Sequence, residues 1–163
     1  MKFIDEVLLD SLTAKAVDAP RKRTHFNLHA TLEDPIHRLF IAAEPGTYIR
    51  PHRHYALPKW ELFSIIRGSM ILFEFDKDGK ILQRQVLKAG STPCVVESQP
   101  ENWHGFLVLE HGTIGMEIKP GPYMAPSADD VAAWAPAEGE PGTAELLKWL
   151  STAEVGDQWR KQS

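Results

Sequence analysis

Residues 61–75 read ELFSIIRGSMILFEF, two apolar runs separated by the turn residues Arg67-Gly68-Ser69. Short apolar runs on either side of a glycine are typical of β-strands joined by a tight turn, so we expect a hairpin here. The second run, residues 70–75, is apolar at every position but one, which predicts that both of its faces are covered. The stretch therefore predicts a mainly β fold with a closed or two-layered sheet.

The same alternation of short apolar runs and turn residues continues from about residue 36 to residue 118. Such a series is typical of an all-β sandwich or barrel. We predict strands over Arg38–Ala43, Tyr48–His52, Glu61–Arg67, Met70–Phe75, Ile81–Leu87, Cys94–Val96, Gly105–Leu109 and Thr113–Ile118. Outside this region, the pattern predicts a helix over residues 3–17, a helix start at Ser127 and a closing helix over Thr143–Trp149.

Composition bounds the class of protein. At 163 residues the chain has the length of one domain, and its 43% hydrophobic and 25% charged residues are ordinary for a globular protein. The net charge of −4 gives no basic footprint for nucleic acid, and no apolar stretch has the length of a membrane span. The acidic N-terminus argues against a signal peptide, and a single cysteine, Cys94, excludes an intramolecular disulfide. We expect a cytoplasmic protein.

A pair of histidines lies ahead of the first apolar run, and a glutamate, Glu61, is the first residue of that run. His52 and His54 are two residues apart, so in a strand their imidazoles would point to the same face. Glu61 can add a carboxylate, and His104 follows a polar turn further along the chain. This donor set suits one divalent transition metal, Fe, Mn, Ni or Zn, with room left for water or substrate. The alternative is that these are ordinary exposed histidines of a loop.

The spacing Gly46-x5-His52-x-His54, then Glu61-x6-Gly68, resembles the first motif of the cupin superfamily. The interval between His54 and Glu61 is longer than cupins usually have, and the extra residues around Leu57 predict a bulge at the mouth of the site. Residues 100–104 resemble a shortened second cupin motif that lacks its glycine and its closing asparagine. The resemblance implies a single-domain, RmlC-like jelly-roll β-barrel whose metal lies between the sheets. A cupin fold without metal, in which a histidine acts as a base, is the alternative.

A narrower resemblance runs from about residue 20 to residue 123. The chain is similar there to the WbuC-type cupin metalloproteins, small proteins often linked with bacterial surface-polysaccharide gene clusters. The residues that carry this similarity are Arg21-Lys22-Arg23, Asn27-Leu28-His29, Arg38-Leu39-Phe40, Pro51-His52-Arg53-His54, Asp78-Gly79 and the segment 117–123. The resemblance implies a metal site and a role in polysaccharide metabolism, but it does not define a substrate.

Further polar residues are candidates for ligand binding and catalysis. Arg21, Arg23 and Asn27 belong to a basic arm that we expect to fold over the barrel mouth and bind an anionic ligand. Arg50 shares the predicted strand face of the histidines and is a further substrate-binding candidate, or it pairs with a surface acid. His29 and Tyr48 are candidates for moving a proton, and the alternative for His29 is a polar wall of the pocket.

These expectations divide the chain into a helix and basic arm at residues 1–35, a cupin barrel at 36–123 and a helical extension at 124–163. They favour a metal-dependent isomerase or epimerase that acts on a small carbohydrate-like molecule. The alternatives are an Fe(II)-dependent dioxygenase, a non-catalytic module that binds a small ligand, and a storage-like structural cupin. By analogy with other cupins we also expect a homodimer, without nucleic-acid or membrane partners.

Overall fold

The computed structural model describes residues 1–55 and 58–160 and contains two antiparallel sheets with short helices around them. The elements in chain order are helix α1 (Glu6–Asp18), strands β1 (Arg23–Asn27), β2 (Ile36–Ala43), β3 (Glu61–Arg67), β4 (Ser69–Phe75), β5 (Ile81–Lys88), β6 (Val95–Ser98), β7 (Trp103–Val108) and β8 (Thr113–Pro120), and helix α2 (Thr143–Leu150). Neither helix in this described part is long and apolar enough to cross a bilayer.

The two sheets are joined by a sharp turn at Gly68. One sheet has the strand order β1-β2-β8-β3-β6, and the other has the order β5-β4-β7. The predicted hairpin over residues 61–75 is wrong, because β3 pairs with β6 and β8 whereas β4 pairs with β5 and β7. Gly68 has a φ of +73°, and a Cβ there would lie 2.3 Å from Thr113 Oγ1. Only glycine therefore lets the chain pass from one layer to the other at this point.

Helix α1 covers the outer face of the five-stranded sheet. The Asp5 side chain accepts a hydrogen bond from the backbone N of Leu8 at 3.0 Å and caps the helix. The apolar face of α1 packs on the outer side chains of β2 and β8, and the buried members of this cluster are Leu9, Leu12, Ala16, Phe40, Ala42 and Ile114. Since side chains alternate along a strand, the odd-numbered residues of β2 and β8 face the interior of the barrel.

Strand β4 is buried on both faces, as its composition predicts. On one side Phe73 and Phe75 pack against the C-terminal segment, including Leu146 and Trp159. On the other side Met70 and Leu72 line the cavity between the sheets. The C-terminal segment thus covers the outer face of this sheet, as α1 covers the outer face of the other. Because each sheet has an apolar cluster on its outer face, the interior of the barrel can be partly polar.

All but one of the predicted strands are present, with bounds shifted by at most two residues. The exception is residues 48–52, which run as irregular chain with a single β-bridge residue at His52. Two features keep this segment out of the sheet. The Tyr48 carbonyl accepts a hydrogen bond from the Arg23 guanidinium at 2.8 Å, and Pro51 has no backbone N–H to offer a neighbouring strand.

At the chain ends the helices are close to those expected. Helix α2 extends the predicted helix by one residue, whereas the predicted start at Ser127 leads only into a 3-10 turn at Ala128–Asp130. Sequence reasoning missed β1, which pairs with β2 and makes part of the predicted basic arm the edge strand of the sheet. The residues 161–163 of the predicted extension lie outside the described residues.

Candidate metal centre

Backbone hydrogen bonds bring the two histidine segments together. The backbone N of His52 donates to the carbonyl of His104 at 3.0 Å, and the backbone N of His104 donates to the carbonyl of His52 at 2.8 Å. The backbone N of His54 donates to Pro100 O at 3.0 Å, so the second histidine is fixed to the turn before β7. Glu61 is the first residue of β3 and approaches from the five-stranded sheet. Residues remote in sequence thus meet at one end of the barrel.

The four predicted ligands form one compact cluster. One ligand atom from each of His52, His54, Glu61 and His104 lies within 4.8 Å of the others. Nε2 of His54 lies 2.9 Å from Glu61 Oε1, and Nε2 of His104 lies 3.3 Å from Glu61 Oε2. Metal–ligand bonds of about 2.0–2.2 Å separate the ligand atoms of one ion by roughly 3–4 Å. The cluster therefore has close to the dimensions of a single-ion site.

The histidine tautomers also fit a metal site. His52 Nδ1 lies 3.1 Å from Arg50 O, and His104 Nδ1 lies 2.9 Å from Asn102 O. A carbonyl oxygen can only accept, so Nδ1 of each ring carries the proton and donates. This leaves the Nε2 lone pairs of both rings available as ligands, which is the arrangement that backbone carbonyls commonly impose on metal-binding histidines. His54 Nε2 is buried without a hydrogen bond of normal geometry, which a metal ion would remedy.

Charge in the cluster is held on the glutamate. Burial alone would raise the pKa of Glu61, but its close contacts with His104 and His54 and the charge of Lys119 hold it well below its usual range. Burial, together with the neighbouring His104, lowers the pKa of His52 to about 3, so this imidazole is neutral near pH 7. An ionised carboxylate beside neutral imidazole is the donor set that a divalent transition metal binds. The residues therefore fit a metal site, and their chemistry leaves the identity of the metal open.

Sequence reasoning missed two charged residues of this site, Glu117 and Lys119. Lys119 Nζ lies 3.0 Å from Glu61 Oε1 and 2.6 Å from Glu117 Oε1. Burial and repulsion from Glu61 raise the pKa of Glu117. Both residues lie on the inward face of β8, and the signal for them was their alternate spacing in an otherwise apolar strand. Lys119, which is partly exposed, and the buried Glu117 form an ion pair beside the predicted ligands.

Three of the four residues of the metal cluster line a cavity of about 200 Å³ between the sheets, and the fourth, His54, lines the third cavity described below. The walls of the cavity between the sheets include Ile41, Phe63, Leu72 and Phe106 as well as His52, Glu61, His104, Glu117 and Lys119. A second cavity of about 360 Å³ lies between β1, β2 and Tyr123, and a third of about 390 Å³ lies beneath residues 123–127. Lys119 contributes to the walls of all three cavities. The neighbouring cavities offer space for a small molecule to reach the cluster.

Three of the predicted substrate-binding residues, Arg21, Arg23 and Asn27, line the second cavity. The two arginines already have a partner within the chain. Arg21 Nε and Arg23 Nη2 lie 2.6 Å and 2.9 Å from the two carboxylate oxygens of Glu138. The third expected contact, Arg50, donates from Nε to Ala132 O at 2.9 Å and lies in the wall of none of these cavities.

The two predicted catalytic residues lie in different environments. His29 lines the second cavity, stacks on His37 with ring centroids 4.1 Å apart, and is fixed through Nδ1 to the backbone of Arg38. Tyr48 is instead buried in the apolar cluster beneath the C-terminal segment, where its hydroxyl donates to Pro136 O at 2.6 Å. The structure places His29 in the wall of the second cavity and buries Tyr48 away from all three cavities. Of the bulge predicted over Leu57-Pro58-Lys59, Leu57 lies outside the described residues, and the backbone N of Lys59 donates to His54 O at 3.3 Å.

Comparisons with known proteins define the fold. The chain resembles a protein with a double-stranded β-helix domain from Klebsiella pneumoniae at 16% identity and a TM-score of 0.51, with 74% of this chain and 90% of that chain covered. It resembles CapF, solved with the inhibitor 3-isopropenyl-tropolone, at 17% identity and a TM-score of 0.50, with 65% of this chain and 30% of that chain covered. A cupin superfamily protein from Desulfitobacterium hafniense aligns at 13% identity and a TM-score of 0.44, with 60% and 75% covered. No curated protein matches the chain.

The two facing antiparallel sheets and the match to the double-stranded β-helix protein define a cupin fold, a jelly roll, with short helices toward both ends. Its cluster of three histidines and one glutamate fits a metal site. Residues 4–87 match the model of the family described as Domain of unknown function (DUF6016), and the chain belongs to that family. The fold and the cupin resemblance are confirmed, whereas the WbuC-type similarity stays a prediction.

Proposed function

We propose that this protein is a metal-dependent enzyme that acts on a small, hydroxylated and anionic molecule, with isomerisation or epimerisation as its reaction. The observation that carries the proposal is the convergence of His52, His54, Glu61 and His104 beside the cavity between the sheets. Cavities lined by further polar and basic side chains adjoin it. A bound divalent metal would polarise a carbonyl or hydroxyl of the substrate.

The residues of the chain would bind the substrate and move a proton. In this proposal Arg23 and Asn27 form a polar wall for the substrate hydroxyls in the second cavity. His29 exchanges the proton through Nε2, because its Nδ1 is fixed to the backbone of Arg38. Tyr48 has only a positioning role, since its buried hydroxyl is bonded to Pro136. The apolar side chains around the metal cluster, among them Phe63 and Phe106, limit the access of water.

A non-catalytic module that binds a small ligand is the second candidate function. Two observations favour it over catalysis: Tyr48 is turned away from the cavities, and the Arg21 and Arg23 guanidinium groups are bonded to Glu138. Fewer free polar groups then remain for a reaction than the sequence predicts. This candidate uses the same metal cluster. Both functions therefore predict metal binding, and only the enzyme predicts turnover of a substrate.

The similarity of residues 20–123 to the WbuC-type proteins supports surface-polysaccharide metabolism as the setting. A sugar acid or another carbohydrate derivative would then be the substrate class. The homodimer expected from the cupin resemblance stays a prediction as well.

The first experiment is elemental analysis of protein purified without an affinity tag, beside the variants Glu61→Ala and His104→Ala. We expect close to one divalent metal per chain in the wild type and strong loss in both variants. His111→Ala is the matched control, because this histidine is largely exposed and lies beside Glu44, on another part of the chain. Wild-type protein that cannot be loaded with Fe, Mn, Ni, Co or Zn would overturn the proposal.

Turnover is tested by proton exchange. Metal-loaded protein is incubated in D2O with a panel of sugar acids, and NMR detects deuterium at the carbon next to a carbonyl. Exchange that His29→Gln abolishes while metal content stays unchanged supports the isomerase. Binding without exchange supports the ligand-binding module, and oxygen consumption by the Fe(II) form would instead indicate the dioxygenase.

A further inference from the structure

Lys119 lies at the point where the three described cavities meet. It is the residue that they share, and its side chain is 24% exposed although it forms two ion pairs. Among the described residues, Lys119 is the one polar residue that the second cavity shares with the metal cavity, and the third cavity contacts His52 and His54 as well as Lys119. The position of Lys119 is therefore suited to contact a ligand.

The ammonium group has bonding capacity to spare. It carries three N–H donors, and in the described part of the chain its ion-pair partners are two carboxylate oxygens, of Glu61 and Glu117. One donor therefore remains for a ligand in the cavities. These two contacts also fix the ammonium in place, so little side-chain entropy is lost when a ligand binds.

The arginines of the second cavity are less available to an anion. Arg21 bonds Glu138 through two nitrogens, and Arg23 bonds Glu138 through one terminal nitrogen and Tyr48 O through the other. An anionic ligand that used these guanidinium groups would have to displace a carboxylate of the protein. At Lys119 no displacement is needed.

Formal charges favour an anion at the same place. An imidazole that binds a metal is neutral, so a divalent ion held by the three histidines and the Glu61 carboxylate would keep one uncompensated positive charge, while Lys119 and Glu117 form an ion pair. A singly charged oxygen between the metal and the ammonium would neutralise the interior of the barrel, where uncompensated charge is costly.

We propose that Lys119 is the anion-binding residue of the site and that the ligand is a small hydroxy acid whose carboxylate contacts Lys119 beside the metal. The hydroxylated remainder of the ligand extends into the cavity lined by Asn27 and His29. This inference rests on the proposed function, because it assumes a metal in the cluster. It replaces Arg21 and Arg23 with Lys119 as the anion contact.

The test uses the full chain loaded with Co(II), whose visible spectrum reports changes at the metal. D-gluconate is the anionic probe and glucitol is its neutral counterpart. We expect gluconate to perturb the spectrum of the wild type and Lys119→Met to weaken gluconate binding by roughly 10-fold or more, since one charge-assisted hydrogen bond is lost. Lys119→Arg should restore part of the affinity. Glucitol should bind the wild type and Lys119→Met equally.

The affinity for Co(II) itself is the second readout. Lys119→Met removes a positive charge beside the metal and frees a Glu61 oxygen, so Co(II) should bind at least as tightly as in the wild type. A merely structural role for Lys119 would instead weaken the binding of metal and anion together. Lys119→Met with Glu117→Gln avoids an unpaired buried carboxylate, and this double variant should also lose gluconate affinity.

Lys59→Met is the matched control. Lys59 lines the third cavity but donates to Pro122 O and lies outside the metal cavity, so its loss should change gluconate affinity by less than about 3-fold. Gluconate binding that is absent in the wild type, or unchanged in both Lys119→Met variants, would overturn the inference while Co(II) binding remained. Wild-type protein that takes up no Co(II) would overturn the proposed function together with the inference that rests on it.

Discussion

The metal cluster and the arginine clamp, which we define as Arg21 and Arg23 bound to Glu138, are both polar groups that a sequence reader selects as a site. In the cluster, Glu61 and His104 are buried, and backbone bonds between His52 and His104 fix the segments that carry it. In the clamp, the Arg21 side chain is 63% exposed and that of Glu138 is 35% exposed. The clamp residues satisfy one another, whereas the cluster leaves the Nε2 atom of His54 without a normal hydrogen bond. Residues that converge on one point and leave a buried polar atom without a partner indicate a ligand site. Residues that satisfy one another indicate a structural ion pair.

The largest expected effect is at the cluster. Glu61→Gln keeps the shape of the side chain but removes the only carboxylate among the four predicted ligands. Loss of a residue that only hydrogen-bonds a metal ligand typically lowers metal affinity by about 10–100-fold. Because Glu61 is itself a predicted ligand, we expect the affinity for Zn(II) to fall by more than about 100-fold. Competition with a chromophoric chelator measures the affinity. Glu138→Gln is the counterpart at the clamp and should leave the zinc affinity unchanged. If both variants lost zinc affinity equally, the claim that the cluster binds the metal and the clamp does not would be wrong.

The second effect concerns the wall of the metal cavity. Gly115 lies on the inner face of β8, and a Cβ there would come within 2.1 Å of the Phe63 ring. Gly115→Ala must displace Phe63, which lines the metal cavity, and we expect a loss of about 1–3 kcal/mol in the free energy of unfolding. Urea unfolding measures it.

Gly90→Ala is the control for that substitution. Among the described residues, no atom other than those of Gly90 and its chain neighbours lies within 4 Å of the Cβ position, although the φ of +69° adds some backbone strain. We expect a smaller loss of stability there and no change in metal binding. A Gly115→Ala variant as stable as the wild type would show that the cavity wall is looser than the packing of Phe63 implies.

The third effect is at the clamp. Arg23 is only 11% exposed and donates to the Tyr48 carbonyl, at the start of the irregular segment that leads to His52. Arg23→Ala leaves that carbonyl without its donor and should lower the free energy of unfolding by about 1–2 kcal/mol. Thermal unfolding of Arg23→Ala beside the more exposed Arg21→Ala checks this. If Arg21→Ala were the more damaging change, burial would not be what gives Arg23 its effect.

Much of the fold could be predicted, because its signals are local. The short apolar runs of β2, β4 and β8 and the turn at Gly68 are properties of neighbouring residues. Strand β1 was missed because its residues are mostly polar and only pairing with β2 makes it a strand. The hairpin at Gly68 was wrong for the same reason, since the turn is local but the choice of partner strand is not.

The candidate site divides in the same way. The spacing of His52 and His54 predicted two ligands, and the cupin resemblance supported Glu61 and His104 as the others. Neither could reveal that Tyr48 is turned into the core, because its orientation depends on the Pro136 carbonyl far along the chain. Lys119 was missed since a lysine in a strand is usually solvated, and only the meeting of β8 with Glu61 places it inside.

The smallest expected effect is the pH dependence of the clamp. Hydrogen bonds from Arg21, opposed by partial burial and aided by Arg23, lower the pKa of Glu138 to about 2, below its value of about 4.3 in an unfolded chain. The carboxylate therefore stabilises the fold fully above a pH of about 4.3, and this contribution is lost as the pH falls towards about 2. Because the pair is exposed, the difference between wild type and Glu138→Gln should stay below about 1 kcal/mol at neutral pH and vanish at the acidic end of this range. Urea unfolding at a series of pH values measures it, and a difference that grew on acidification would mean that Glu138 is not held as the carboxylate between the two arginines.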